Sequence, residues 1–225
     1  MMKDRAKPAE VRIEKPDRGG IAQNLSEARE TEKRKPGLLV HSCCGPCSTA
    51  VMERLSAAYD VTLFFFNPNI ADGEEYERRL QAQQLAVEKY NASGYAPGRV
   101  TLVVGAYEPK LFLAKVRGYE REPEGGARCA KCFDLRLEKT AEYAALYGFD
   151  RFTTTLSVSP HKDYLLLVKI GTGLALRYGL AFLAEDFKKQ AGFQRAAELS
   201  KAYGLYRQNY CGCAFSQRES VGDET

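Results

Sequence analysis

The segment LVHSCCGPCSTA, residues 39–50, places three cysteines directly after a short apolar run. The run LLVHS predicts a buried strand, and residues 48–59 predict the helix that follows it. Ligands of open parallel sheets collect at the carboxyl ends of the strands. The cysteines of this segment are therefore predicted to lie where such a fold binds its ligand.

Strands and helices alternate along the rest of the chain. The predicted strands are LLVHS, VTLFFFN, VTLVVGAY, RFTTTLSV and the short LAFLAE. The predicted helices cover about residues 48–59, 74–90, 110–119, 129–147 and 162–178, with a last helix ending near Tyr203. Strands that are apolar almost throughout indicate a parallel sheet covered by helices on both faces. The sequence therefore predicts an α/β fold.

A chain of 225 residues fits one folded domain with flanking tails. Residues 1–35 are rich in charge and poor in large apolar residues, which predicts a mobile tail; residues 36–218 form the predicted domain and 219–225 a C-terminal tail. The apolar runs are too short for a membrane span, and the N-terminus does not resemble a signal peptide. We expect a cytoplasmic protein that does not contact a membrane.

The net charge of +4 is unevenly distributed. Part of the basic excess lies in the N-terminal tail, and part lies in residues 186–218. A local basic patch of this kind is typical of a nucleic-acid contact, and it is equally typical of a solvated helix face.

Seven cysteines occur in three groups, and in a reducing compartment they favour metal ligation or redox chemistry over structural disulfides. The candidate metal ligands are Cys43, Cys44, Cys47, Cys129, Cys132, Cys211 and Cys213. A CxxC pair that opens a helix, as Cys129 and Cys132 do, lies where the helix dipole favours thiolates. Four thiolates can hold zinc or an iron-sulfur cluster, and the three further thiols favour the cluster.

Cys44 to Cys47 also spell CGPC, the active-site tetrapeptide of thioredoxins. The chain contains no Trp, whereas thioredoxins place one before the motif, and Cys43 stands there instead. The other cysteines would have no part in thioredoxin chemistry. We therefore prefer metal binding as the interpretation of this segment.

Several motifs in order resemble the QueH family of epoxyqueuosine reductases. They are LLVHSCCGPCSTAV, FFFNPNI, EEYERRL, EPEGGARCAKCFDLRLEKTAEYA, FTTTLSVSPHKD and DFKKQAGFQRAAELSKAYGLYRQNYCGCAFS, which together span about residues 38–216. The resemblance implies a single catalytic domain with a three-layer α/β sandwich of the adenine nucleotide alpha hydrolase-like (HUP-like) type. ATP-binding members of that fold carry an SGGxDS-like phosphate loop where this chain has HSCCGPCS, so no ATP requirement is expected.

The implied reaction is the last step of queuosine biosynthesis. It reduces the epoxycyclopentane of epoxyqueuosine, at the tRNA wobble position, with two electrons from an unidentified donor. The resemblance implies a [4Fe-4S] cluster and a second metal ion, iron, beside it. The cluster ligands are expected to be Cys43, Cys44, Cys129 and Cys132. Cys211 and Cys213 are then a redox-active disulfide pair or, together with Cys47, ligands of the second metal.

The reaction needs a proton donor, for which His161 and Asp163 are the candidates, and His41 is a further one. A substrate base held outside the anticodon stack is typically bound by aromatic and basic side chains. The predicted substrate-binding residues are Lys188, Lys189, Tyr206, Arg207, Gln208, Asn209 and Tyr210.

Two other functions stay open from the sequence. An iron-sulfur tRNA thiolase would use the same fold, but it needs the ATP loop that this chain lacks. A zinc-stabilised RNA-binding module would also explain clustered cysteines and a basic patch. A colourless protein without iron would favour this second alternative.

Overall fold

The computed structural model describes residues 35–94 and 96–219. The predicted tails, residues 1–35 and 219–225, lie outside the described residues except for Lys35 and Glu219. The strands are β1 (Gly37–Ser42), β2 (Asp60–Phe65), β3 (Thr101–Val104), β4 (Arg151–Thr154) and β5 (Ala181–Phe182). The helices are α1 (Gly45–Leu55), α2 (Gly73–Asn91), α3 (Pro109–Lys115), α4 (Ala127–Leu146), α5 (Tyr164–Tyr178), α6 (Gly192–Ala202) and α7 (Ala214–Glu219), with a 3-10 helix over Thr155–Val158.

The five strands form one sheet in the order β3-β2-β1-β4-β5, and every pairing is parallel. The central strand β1 pairs with β2 on one side and with β4 on the other. Along the chain, β2 and β3 are added on one side of β1, and β4 and β5 are then added on its other side. The carboxyl ends of β1 and β4 therefore form the topological switch point at which open sheets bind ligands.

Alternate residues of β1 face opposite layers, because side chains in a strand alternate between its two sides. Leu38 and Val40 pack in a core with residues of α1, α2 and α6. Leu39 packs in a second core with residues of α4 and α5. Helices therefore cover both faces of the sheet, and the predicted three-layer α/β sandwich is confirmed.

The predicted helix after β1 begins at Gly45 rather than near Ser48. Cys44 is extended and precedes the helix, and Pro46 lies in the first turn, where its missing N–H has no intrahelical partner to lose. Gly45 also packs against α2, and a Cβ there would lie 2.4 Å from the Ala82 carbonyl oxygen. As a result Cys47 belongs to the first turn of α1.

Three other elements differ from the sequence prediction. The predicted strand RFTTTLSV ends at Thr154, whose hydroxyl accepts from the Leu156 N–H at 3.1 Å and starts the 3-10 helix. LAFLAE contributes only the two residues of β5, and α7 was not predicted. No helix among residues 35–94 and 96–219 is long and apolar enough to cross a membrane.

Candidate metal and substrate site

A cavity of about 650 Å³ opens at the carboxyl ends of β1, β2 and β4. Segments that follow each of these strands meet there, and the loop after α6 covers one side. The lining residues are Cys43, Pro46, Cys47, Asn67, Asn69, Arg79, Glu124, Arg136, Leu156, Ser159, Pro160, His161, Lys162, Phe193, Arg207, Gln208, Asn209, Tyr210 and Cys211. The cavity lies at the predicted ligand-binding edge.

Cys43, Cys44 and Cys47, here called the first thiol group, lie at the start of α1. Their sulfur atoms are all within 4.8 Å of one another, and the Sγ atoms of Cys43 and Cys44 are 3.8 Å apart. The Thr155 hydroxyl lies 3.2 Å from the Cys43 backbone nitrogen and 3.5 Å from its Sγ, which ties the group to the end of β4. The group is a candidate metal-binding site.

The three sulfurs ionise unequally. Hydrogen bonds with the thiols of Cys44 and Cys47 hold the pKa of Cys43 well below its usual range. The Cys43 sulfur in turn raises the pKa of Cys44 to about 12 and also raises the pKa of Cys47. Without a metal ion, Cys43 is therefore the thiol of this group that ionises most easily. A bound cation would let all three ionise, because metal binding displaces thiol protons.

The remaining cysteines form the second thiol group, which consists of Cys129, Cys132, Cys211 and Cys213. Cys129 and Cys132 are buried in the first turns of α4, and the Gly125 N–H donates to the Cys129 sulfur at 3.2 Å. Both thiols interact electrostatically with Cys211, which is hydrogen-bonded to Cys213. All seven cysteines of the chain are free thiols here.

Ionisation is also uneven in the second thiol group. The hydrogen bond with Cys213 and the charges of Lys162 and Arg136 lower the pKa of Cys211 to about 5, against the effect of burial. Cys211 correspondingly raises the pKa of Cys213, and burial raises the pKa of Cys132 to about 11. In the second thiol group the Cys211 thiolate thus lies next to neutral thiols.

Lys162 lies beside the Cys211 thiolate. Its Nζ is 3.6 Å from the Cys211 Sγ and 2.9 Å from a Glu124 carboxylate oxygen. Burial opposes the charge of the ammonium group, but Cys211 and Glu124 outweigh it and raise the pKa of Lys162. Lys162 is therefore a protonated group inside the cavity.

Arg136 lies between the two thiol groups. It is 2% exposed, its Nη2 donates to the Asn67 Oδ1 at 2.5 Å, and its Nε donates to the His41 Nε2 at 3.3 Å. Its charge acts on Cys43 as well as on Cys132. A single buried guanidinium thus faces sulfur atoms from both groups.

The backbone of the CxC segment is held by an ion pair of α2. Arg79 donates to the Cys211 carbonyl at 3.0 Å and the Tyr210 carbonyl at 3.2 Å, and its Nε lies 2.7 Å from a Glu75 carboxylate oxygen. Gly212 has a φ of +101°, and a Cβ there would lie 2.9 Å from Arg79 Nη1. Glycine between the two cysteines thus lets the loop approach Arg79.

The structure separates the predicted substrate-binding residues into two sets. The residues that line the cavity are Arg207, Gln208, Asn209 and Tyr210. Lys188, Lys189 and Tyr206 do not line it: Lys188 pairs with Asp186 at 3.0 Å, and the Tyr206 hydroxyl donates to Glu75 at 2.8 Å.

The predicted proton donors lie in different surroundings. His161 is exposed and lines the cavity. Asp163 caps α5, where its carboxylate accepts from the Leu166 N–H at 3.1 Å, and it does not line the cavity. His41 is fully buried, and burial lowers its pKa to about 3, so the imidazole is neutral.

Sequence reasoning missed Arg136, Lys162, Glu124 and the pair formed by Glu75 and Arg79. Arg136 follows Cys132 by one helical turn, so the spacing CxxCxxxR would have indicated it. Lys162 stands between the two residues that were chosen from SPHKD. Glu124 and the α2 pair carry no local signal, because their roles depend on contacts with distant segments.

These residues suit a metal group. Cys43 and Cys47 of the first thiol group and Cys211 of the second line one cavity, and two cations, Arg136 and Lys162, line it with them. Positive charge next to thiols is the pattern that thiolate ligands require. Sulfurs bound to one tetrahedral ion at about 2.3 Å lie about 3.8 Å apart, and Cys43 and Cys44 have this spacing. The fold and the site define a thiol-rich α/β protein with a candidate metal centre at the switch point of its sheet.

The comparisons with known proteins give the family. The family model for epoxyqueuosine reductase QueH matches residues 38–219. The epoxyqueuosine reductase QueH of Streptococcus pyogenes serotype M1 is 39% identical over 198 residues, which cover 88% of this chain and 77% of that protein. The protein of the same name from Staphylococcus epidermidis is 36% identical over 210 residues, 92% and 87% of the two chains. That from Haemophilus influenzae is 35% identical over 217 residues, 96% and 84%. The chain belongs to the QueH family.

Proposed function

We propose that this chain is an epoxyqueuosine reductase that acts on tRNA, in the cytoplasm where tRNA is processed. The observation that carries the proposal is the meeting of both thiol groups at one cavity, in a chain of the QueH family. The reaction consumes two electrons and two protons, converts the epoxide carbons into an alkene and releases the oxygen as water. An unidentified donor supplies the electrons.

The spacing of the sulfurs supports a division of the metals between the two thiol groups. The first thiol group suits a single ion, because its three sulfurs lie within 4.8 Å of one another. The second thiol group then offers four ligands for a [4Fe-4S] cluster. The family resemblance instead implied a cluster held by Cys43, Cys44, Cys129 and Cys132, and the grouping of Cys43 and Cys44 with Cys47 favours the new division.

The protein's own residues prepare the cavity for this reaction. When bound, the iron centres would supply electrons and a Lewis acid for the epoxide oxygen. The Lys162 Nζ holds a proton at the cavity wall, where it can pass to the departing oxygen, and Glu124 keeps that ammonium in place. We propose Lys162 as a proton donor alongside His161, which also faces the cavity.

The loop after α6 is proposed to hold the nucleoside. Arg207, Gln208, Asn209 and Tyr210 line the cavity next to Cys211, so a base placed against them would lie beside the thiols. Arg79 lies 5.2 Å from the centre of the Tyr210 ring and fixes the orientation of its aromatic face. Lys188 and Lys189 lie on the same basic stretch outside the cavity and are proposed to contact tRNA phosphates.

The experiment is anaerobic incubation of iron-reconstituted protein with epoxyqueuosine-containing tRNA and a reductant. The expected result is loss of one oxygen atom from the modified nucleoside, measured by mass spectrometry after digestion. Iron-containing protein that leaves the nucleoside unchanged would overturn the proposed function. Protein that binds tRNA and zinc but no iron would favour the RNA-binding module.

A further inference from the structure

Arg136 carries a buried positive charge without a carboxylate partner. It is 2% exposed, and its oxygen and nitrogen acceptors are the Asn67 amide and the His41 imidazole, neither of which carries a negative charge. It also hydrogen-bonds the Cys132 thiol. No ion pair to Arg136 occurs among residues 35–94 and 96–219. Burying an uncompensated charge costs several kcal/mol, so a negative charge has to lie close to it.

The position of Arg136 on α4 identifies where that negative charge lies. Cys129, Cys132 and Arg136 have the spacing i, i+3 and i+7, which places them on one face of the helix. Arg136 also lines the cavity together with Cys43, Cys211 and Glu124, and Glu124 is paired with Lys162. The groups that can offer Arg136 an unpaired negative charge are therefore thiols of both groups.

The second cation of the site differs in this respect. Lys162 lies 2.9 Å from Glu124, so its charge is already balanced by a carboxylate. Arg136 has no such balance. It is therefore the cation whose charge is left to act on the sulfur ligands.

We propose that Arg136 is the fixed counter-charge of the metal centre, a positioning residue that draws the two thiol groups together and favours the reduced state of the iron they bind. The inference rests on the proposed function for the presence of iron. A positive charge held next to a redox centre stabilises the form that has gained an electron. Loss of that charge therefore lowers the reduction potential.

The test measures reduction potentials of anaerobically reconstituted protein by titration with dithionite, without any tRNA. R136Q removes the charge, R136K keeps it, and R54Q removes a positive charge from an arginine outside the cavity that pairs with Glu185. In R136Q we expect the equilibrium constant for one-electron reduction to fall about tenfold, which equals a fall of about 59 mV in the reduction potential. R136K and R54Q should stay close to the wild-type potential.

A second variant tests the charge without removing the arginine. N67D places a carboxylate where the Asn67 amide accepts from Arg136, at the loss of the hydrogen bond to the Ser42 carbonyl. It neutralises Arg136 in place, so its potential should fall as in R136Q. If R136Q does not retain iron, the reduction potential of N67D tests the inference in its place.

An N67D potential equal to that of the wild type would overturn the inference, since a carboxylate that cancels a counter-charge acting on the iron has to lower the potential. Wild-type protein that binds iron but does not remove the epoxide oxygen would overturn the proposed function. It would not affect the comparison of potentials, which is made without substrate.

Discussion

The two thiol groups reach the same cavity by different routes. Cys43, Cys44 and Cys47 come from one turn between β1 and α1, so the local backbone is enough to gather their sulfurs. Cys129 and Cys132 must meet Cys211 and Cys213, which lie on a loop far along the chain. Contacts with α2 and with Lys162 hold that loop in place. The first thiol group is therefore encoded locally, and the second depends on the fold around it.

The largest expected effect separates the metals of the two groups. C132A should lose the broad absorbance of the cluster and about 10³-fold in reduction rate, or about 4 kcal/mol of barrier. C44A should keep that absorbance, and its iron content should fall only from about five to about four atoms per chain. Iron analysis and absorption spectra of the anaerobic proteins measure both. If C44A loses the absorbance as fully as C132A does, the cluster spans the two groups, as the family resemblance implied.

The next effect tests how the second thiol group depends on α2. R79M removes the buried cationic partner of Glu75 and frees the carbonyls of Tyr210 and Cys211, so the free energy of unfolding should fall by about 3 kcal/mol. Arg78 pairs with the same carboxylate, but its side chain is 52% exposed. R78M should therefore lower the stability by less than about 1 kcal/mol. Urea unfolding measures both, and equal losses would show that the loop does not depend on Arg79.

A smaller effect concerns the Cys211 thiolate. In metal-free protein the pKa of Cys211 is lowered to about 5, in part by Lys162, so alkylation of this thiol should proceed at nearly full rate above pH 6. K162M removes that charge, and the pH midpoint of alkylation should move upward. K188M changes a lysine outside the cavity and should leave the midpoint unchanged. Mass spectrometry of the labelled peptide gives the rates; an unchanged midpoint in K162M would exclude Lys162 as the stabilising charge.

The contrast between local and long-range assembly of the two thiol groups explains which features the sequence could predict. The βα alternation and the apolar strands predicted the parallel sheet, and the CCGPC segment predicted three cysteines close together after the first strand, because both depend on short-range patterns. The CxC loop sequence does not show that Arg79 fixes its carbonyls or that Glu124 balances Lys162. Those contacts arise only when α2, the loop before α4 and the loop before α5 converge on the sheet edge. The helix-capping role of Asp163 likewise became visible only from the hydrogen bond that its carboxylate accepts from the Leu166 N–H.

The smallest effect is the pH dependence of the stability that the Glu75–Arg79 pair of α2 contributes. Burial disfavours the charge of Glu75, but hydrogen bonds from Tyr206 and Arg79 outweigh burial and lower the pKa of this carboxyl below its ordinary value of 4.5. A lowered pKa in the folded state adds stability above the unfolded pKa, and this stability is lost as pH falls through the folded value. The stability difference between wild type and E75Q should therefore shrink from pH 7 toward pH 3. Urea unfolding at a series of pH values measures it, and a difference that stays constant would show that the Glu75 charge does not support the CxC loop.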